Sequence, residues 1–300
     1  MKKAILVILG LFLMVAVWYL FIKQSDYIVN FEAKTTPGTV IQSLEAWNGS
    51  LKNAEIINRD SLKSITQQLR FGDSLNNYFW ELTAVNDSIT QVSVGIKDPE
   101  HSLANKLGVI FKNTEFEKRS TATVKNFYLF LKDHLKQIKI TIDGRAEIPA
   151  KYCAYVSLKS VQIEKAKGMM KNYGFLSSVL SENQVELNGT PFVEITEWNT
   201  ANDSISYNFC FPIKRSEKLL NNPEVRYKKI FAKPALKATY NGNYITSDRA
   251  WYALLAYAKS HDIPVTKKPI EIFYNNPNMG GNVLKWKAEI FMPIKESSSK

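Results

Sequence analysis

Asn208-Phe209-Cys210-Phe211-Pro212-Ile213-Lys214 and Glu289-Ile290-Phe291-Met292-Pro293-Ile294-Lys295 are two versions of one strand, each ending in Pro-Ile-Lys. Upstream of each, a proline introduces another apolar run: Pro191-Phe192-Val193-Glu194-Ile195 and Pro269-Ile270-Glu271-Ile272-Phe273. Further upstream each has a helical stretch, and before it an opening strand, Ala150-Lys151-Tyr152-Cys153-Ala154-Tyr155-Val156 and Ala232-Lys233-Pro234-Ala235-Leu236-Lys237-Ala238. Residues 146–214 and 227–295 therefore read as a duplicated βαββ module. A junction between two such halves is a natural place for a small-molecule cleft.

Period two divides the last strand into two faces. Leu284, Trp286, Ala288, Ile290 and Met292 share the face a helix should cover; Lys285, Lys287, Glu289 and Phe291 share the other. In the first module Ile205, Tyr207, Phe209 and Phe211 take the apolar side, and Asn208 stands where Glu289 stands in the second. Glu289 without a partner would be costly to bury, so it calls for a ligand, a lysine or solvent. A single carboxylate opposed by an amide suits the orientation of a ligand better than paired acid–base chemistry. Tyr240, Tyr244 and Tyr274 are further candidates, offering apolar surface and a ring face to a cation; each could equally be core. Trp251 and Trp286 fall on covered positions and read as packing residues.

The second half resembles the GyrI-like, AraC-effector-binding (duplicated SHS2) family over residues 146–296. The resemblance rests on Lys237-Ala238-Thr239-Tyr240-Asn241-Gly242-Asn243-Tyr244, where Gly242 suits a positive-φ turn, and on the helix Ser247-Asp248-Arg249-Ala250-Trp251-Tyr252-Ala253-Leu254-Leu255 with its exit His261-Asp262-Ile263-Pro264. It continues through Glu271-Ile272-Phe273-Tyr274-Asn275-Asn276-Pro277 and ends in Trp286-Lys287-Ala288-Glu289-Ile290-Phe291-Met292-Pro293-Ile294. It implies a ligand cleft on the face away from the helices, between sheets that face each other, with Glu289, Asn208, Tyr240, Tyr244, Tyr274 and Phe291 in contact with the ligand. The implied ligand is a small hydrophobic, amphipathic or cationic molecule.

The first half has a different order. Tyr27–Ala33 alternates as a strand. Thr35-Thr36-Pro37 then starts a helix, with threonine as cap and proline in the first turn, and Asn48-Gly49-Ser50 ends it. Strands over 64–71, 77–85 and 88–94 follow, separated by Phe71-Gly72-Asp73 and Asn86-Asp87 turns. A long amphipathic helix over 114–137 carries Phe116, Thr123, Phe127, Phe130, Leu131 and Leu135 at helical spacing. This order is similar to the START-like (SRPBCC, polyketide cyclase) helix-grip fold, which implies an apolar cavity between sheet and last helix. Trp47-Asn48 represents its Trp-containing turn, and strands expected between Gly49 and Ser64 look short or missing. Phe79 and Trp80 read as core or cavity wall.

Ala4 to Ile22 holds nineteen residues without a charge, about 28 Å of helix and enough for a hydrocarbon core. Lys2 and Lys3 precede it, and Trp18 and Tyr19 suit an interface. The run is long for a signal-peptide core and lacks a small-residue cleavage site, so it reads as an uncleaved anchor. The positive-inside rule puts the N-terminus in the cytoplasm and the body outside. The expected class is thus α+β: anchor over 1–25, START-like domain over 26–140, and GyrI-like domain over 146–296.

The charge of +11 comes from scattered lysines without a long basic run, which reads as a solubilising surface, with no nucleic acid partner expected. Cys153 and Cys210 have no CxxC spacing, so zinc is not indicated; a disulfide would require adjoining strands. His101, His134 and His261 are far apart, and GxSxG, GxGxxG, P-loop and HExxH patterns are absent. No catalytic residue, metal or cofactor is assigned. The expectation is a binder rather than an enzyme. Two alternatives stay open: a hydrolase of strained electrophiles using Glu289 as base, and a structural or partner-binding protein with filled clefts.

Overall fold

A computed structural model of the protein describes residues 2–111, 114–215 and 222–296. These fall into two units, Met1–Val85 with Ile89–Asp133, and Asn86–Ser88 with His134–Lys300. Both are mixed α+β with an antiparallel sheet.

In the first unit the uncharged run forms α1 (Lys2–Val17), continued by a π-helical turn at Trp18–Ile22. Together they make one helix long and apolar enough to cross a membrane. Then come β1 (Tyr27–Ala33), α2 (Pro37–Ser50), β2 (Ala54–Asp60), β3 (Ser64–Phe71), β4 (Ser74–Ala84), β5 (Thr90–Lys97), α3 (Ser102–Phe111) and α4 (Glu115–Lys136). Thr36 caps α2, its Oγ1 accepting from the Thr39 N–H at 3.4 Å, with Pro37 in the first turn. The five strands run β1-β5-β4-β3-β2. Trp47 of α2, Trp80 of β4 and Phe127 of α4 meet in the core, with ring centroids of Trp80 and Phe127 4.9 Å apart. The Gly49–Ser64 stretch, where strands looked short or missing, contains β2, and α3 was not anticipated. Phe130 of α4 is partly exposed rather than core.

The second unit holds β6 (Lys139–Ile148), β7 (Lys151–Val161), α5 (Lys165–Glu182), β8 (Phe192–Asn199), β9 (Ser204–Pro212), β10 (Arg226–Ile230), β11 (Lys233–Asn241), α6 (Arg249–Ser260), β12 (Ile270–Phe273) and β13 (Lys287–Pro293). Its strands form one sheet in the order β10-β7-β9-β8-β12-β13-β11-β6. The duplication is visible in that order, which reads the same from either end when equivalent strands are matched. Each module carries a leading strand beyond the βαββ pattern, β6 in the first and β10 in the second. These leading strands are exchanged: β6 pairs with β11 of the second module, and β10 with β7 of the first. The halves join at β8–β12, where Glu194, Val193 and Phe192 oppose Ile270, Glu271 and Ile272. The modules thus share a single sheet; they are not two sheets facing each other across a hollow.

One face of this sheet carries α5 and α6 and the larger core, including Tyr207, Phe209, Phe211, Leu236, Ala238, Tyr240, Ala288, Ile290 and Met292. The other carries a second apolar cluster in which Cys153, Phe192, Cys210, Ile270, Ile272 and Phe291 meet. Cys153 and Cys210 lie there as free, buried thiols on the adjoining strands β7 and β9.

Candidate functional site

A pocket of about 240 Å³ opens on the helix side of the sheet, where the two modules join. The first module supplies Met169, Met170 and Tyr173 from α5 and Phe209 from β9; the second supplies Tyr244, Phe273 and Tyr274. Alternation explains the floor: Phe209 and Phe273 sit on the helix-facing side of their strands. Asn243, Asn275, Asn276 and Asn278 give the rim amide character. Methionine and aromatic rings provide a wall that adapts to different apolar shapes, while the amides can direct a polar end.

The rim is held by the turn after β11. Gly242 has φ +149°, and a Cβ there would lie 2.6 Å from the Tyr240 hydroxyl, so the turn requires glycine. Past it, the Tyr244 hydroxyl donates to the Lys287 carbonyl at 2.8 Å and accepts from the Asn275 N–H at 3.1 Å. Tyr244 therefore pins the 274–278 loop to the start of β13, and its ring lies 4.8 Å from that of Phe273.

Beside the pocket wall is a buried ion pair. Lys165 immediately precedes the lining residue Ala166, and Glu271 shares its strand face with Phe273. Both side chains are wholly buried, and the Lys165 ammonium bonds the Glu271 carboxylate. Lys165 also donates to Ser247 Oγ at 2.9 Å, and Trp251 Nε1 donates to Glu271 at 2.6 Å. The ammonium lies 4.6 Å from the centre of the Trp251 ring. Burial pushes the Glu271 carboxyl upward, and the charge and hydrogen bond of Lys165 oppose it. The pair links α5 of one module to β12 of the other at the junction that makes the pocket.

Of the six residues expected at the cleft, the structure places two, Tyr244 and Tyr274, in the pocket wall. Glu289 lies on the opposite face, with its side chain 12% exposed and bonded to Lys237 at 2.9 Å, Lys287 at 2.8 Å and the Tyr274 hydroxyl at 2.7 Å. Tyr274 thus spans from the pocket to Glu289. Burial alone would raise the Glu289 carboxyl, but the hydrogen bonds from Lys287, Lys237 and Tyr274 outweigh it and hold it at about 2. The Tyr274 phenol is pushed up to about 12 by burial and by the neighbouring carboxylate. Asn208 shares the face of Glu289 but does not oppose it. Its amide donates to Glu194 at 2.8 Å and accepts from Ser157 at 2.9 Å, and β8 and β12 separate its strand from β13, about 14 Å at ordinary strand spacing. Phe291 belongs to the apolar cluster of that face. Tyr240 is core, its hydroxyl bonded to the Asn243 carbonyl and Thr246. The expected single cleft of Glu289, Asn208, Phe291 and Tyr240 is therefore not assembled.

The sequence reading missed Lys165, Glu271, Met169, Met170 and Phe273. Glu271 had a usable signal, a charge within the apolar run Pro269–Phe273 at a position sharing a face with Phe273. The methionines had none, since their role depends on how α5 lies over the sheet. Among the described residues no cluster of histidine, cysteine or carboxylates could hold a metal.

The family model for the GyrI-like small molecule binding domain matches residues 147–295. Solved structures similar to the chain include the EcmrR C-terminal domain, 17% identical, covering 53% of this chain and 99% of that one with a TM-score of 0.44. SAV2435 bound to tetraphenylphosphonium is 11% identical, covering 52% and 94% with a TM-score of 0.38. A hydrolase encoded by lin2189 from Listeria innocua is 10% identical, covering 55% and 98% with a TM-score of 0.33. Comparison with curated proteins gives no match. Residues 147–295 of this chain belong to the GyrI-like small molecule binding domain family.

Proposed function

We propose that this protein is a membrane-anchored binder of a small apolar or amphipathic molecule, held in the pocket between α5 and the 274–278 loop. The observation that carries the proposal is the pocket itself: about 240 Å³ at the junction of the two modules, walled by methionine and aromatic side chains and rimmed by amides. The nearby carboxylates, Glu271 and Glu289, already have lysine partners. A cationic ligand would therefore rely on the faces of Tyr173, Tyr244 and Tyr274 rather than on a free carboxylate. Tyr274 and Tyr244 are the expected ligand contacts that keep that role; Glu289 acts on the ligand through Tyr274.

The anchor is residues 4–22, with the N-terminus cytoplasmic and the body outside; Lys2 and Lys3 ahead of the apolar helix support that orientation. For the first unit, the order of strand, helix, antiparallel strands and long last helix supports a START-like relationship. Trp47, Trp80 and Phe127 pack together between its sheet and last helix, and the pocket of about 250 Å³ beside Trp47 takes Lys52, Asn53, Arg70, Thr123 and Asn126 into its wall. Ligand binding is assigned to the second unit, whose pocket has the methionine and aromatic wall that an apolar molecule needs. A hydrolase mechanism would need Glu289 as a general base. A carboxyl held at about 2 is a weak base at neutral pH, and it faces away from the pocket.

Met170→Trp tests the proposal, because the larger side chain enters the pocket from an exposed position on α5. Hydrophobic dyes and amphipathic compounds are expected to raise the melting temperature of the wild type. The variant should lose that shift at an unchanged melting temperature of its own. Equal shifts in both proteins would place binding elsewhere and overturn the assignment.

A further inference from the structure

We propose that α3 is a membrane-surface helix, lying in the lipid interface beside the end of the apolar N-terminal helix. The inference rests on residues 4–22 spanning the bilayer. It comes from an inversion: α3 turns its polar side chains to the protein and its apolar side chains outward. Leu103, Leu107 and Ile110 are 48%, 49% and 59% exposed, and Ala104 extends the same outer surface. Ser102, Asn105 and Lys106 point the other way, and Lys106, the only charged residue of the helix, is 2% exposed. A water-facing helix has the opposite arrangement. An outer face with no charge and three large aliphatic side chains at i, i+4 and i+7 suits the boundary between headgroups and acyl chains.

The inward polar groups show which surface this is. The Lys106 ammonium donates to the carbonyls of Leu20 at 3.0 Å and Lys23 at 2.6 Å. These lie at the C-terminal end of the apolar helix, where carbonyls lack partners within the helix and a cation is favoured. The Tyr19 hydroxyl donates back to the Lys106 carbonyl at 3.1 Å. Ser102 bonds Asp26, which also accepts from the Asp98 N–H at 2.9 Å, so the segment leaving the span is fastened to the start of α3. Where the span leaves the bilayer, carbonyls without water need an internal donor, and Lys106 supplies it. Trp18, Phe21 and Ile22 are exposed at the same end of the span, so both helices present apolar side chains outward there. The occupant of that surface is lipid, because the helix that α3 clasps is itself the lipid-crossing element.

Depth measurement by spin labelling in the full chain tests this. Leu103→Cys, Leu107→Cys, Leu13→Cys and Asn126→Cys would each be labelled with a nitroxide, the native cysteines being buried. The proteins would be reconstituted into vesicles of phosphatidylethanolamine and phosphatidylglycerol. The expected result is a ratio of oxygen to nickel-chelate collisions several-fold higher at Leu103 and Leu107 than at exposed Asn126, and higher still at Leu13. A lipid-like value at Leu13 with a water-like value at Leu103 and Leu107 would overturn the role of α3 and leave the anchor intact. A water-like value at Leu13 would remove the anchor and the inference with it. Labels at Leu103 and Leu107 shielded from both reagents would mean that protein covers the stripe, which also overturns the inference.

Discussion

At the scale of single residues, Lys165 and Glu271 form an ion pair across the module junction, beside the pocket and without touching solvent. Taking away one partner of a buried pair leaves the other charge uncompensated, at about 3–5 kcal/mol. Lys165→Met should therefore lower unfolding stability by that order in urea titration. Adding Glu271→Gln should restore much of it, because the amide carbonyl still accepts from Trp251 and Ser247 while the unpaired charge is gone. An equal loss in single and double variants would mean that the lysine matters only for packing. Glu289 gives a different signature. Its folded value of about 2 lies below the ordinary 4.5, so its contribution is fully present above pH 4.5 and is lost as pH falls toward 2. Glu289→Gln should flatten the pH dependence of stability within that window and leave it unaltered above; an unchanged acid slope would show that its lysine contacts are not maintained in solution.

Among elements, legibility in the sequence followed how far a residue's role depended on its own strand or helix. The paired Pro-Ile-Lys strands, the Thr36 cap and the Gly242 turn were readable because each is set by local periodicity or backbone conformation. β6 and β10 were not: the sequence reading opens each module on the strands at 150–156 and 232–238, and neither Lys139–Ile148 nor Arg226–Ile230 was read as a strand. Their partners come from the other module, which no local pattern reveals. α3 was missed for a related reason, since its polar residues face inward. The face of Glu289 was read correctly by alternation, but the pocket lies on the other face, where two modules bring α5, β9 and β12 together. The exchanged strands carry a prediction of their own. A second-unit fragment beginning at Pro149 lacks β6 and leaves the outer edge of β11, nine residues from Lys233 to Asn241, unpaired. Open edges of that length invite association. That fragment should melt lower and aggregate on size exclusion compared with one beginning at His134; indistinguishable behaviour would make β6 dispensable.

For the whole molecule, the decisive question is whether the apolar helix stays attached to the binding unit. A 20-residue span from Lys3 to Ile22 is long enough to cross the hydrocarbon core. It carries Trp18 and Tyr19 at one end and two lysines at the other, an arrangement that resists transfer into water. The pocket residues come from Ala166 to Asn278 and belong to the second unit alone. Anchoring and binding should therefore separate cleanly. The full chain should remain with the membrane after alkaline carbonate extraction and keep its intact N-terminal mass. A variant in which residues 2–22 are deleted should move to the soluble fraction and show the same ligand-induced melting shift. Recovery of a shortened, soluble product from the full chain would identify the apolar run as a cleaved signal and remove the membrane from the function. Loss of ligand response on deletion, with the second unit still folded by circular dichroism, would instead mean that the pocket needs the lipid surface to fill. The independent fold of the family domain, with its own sheet, core and pocket, argues for separation.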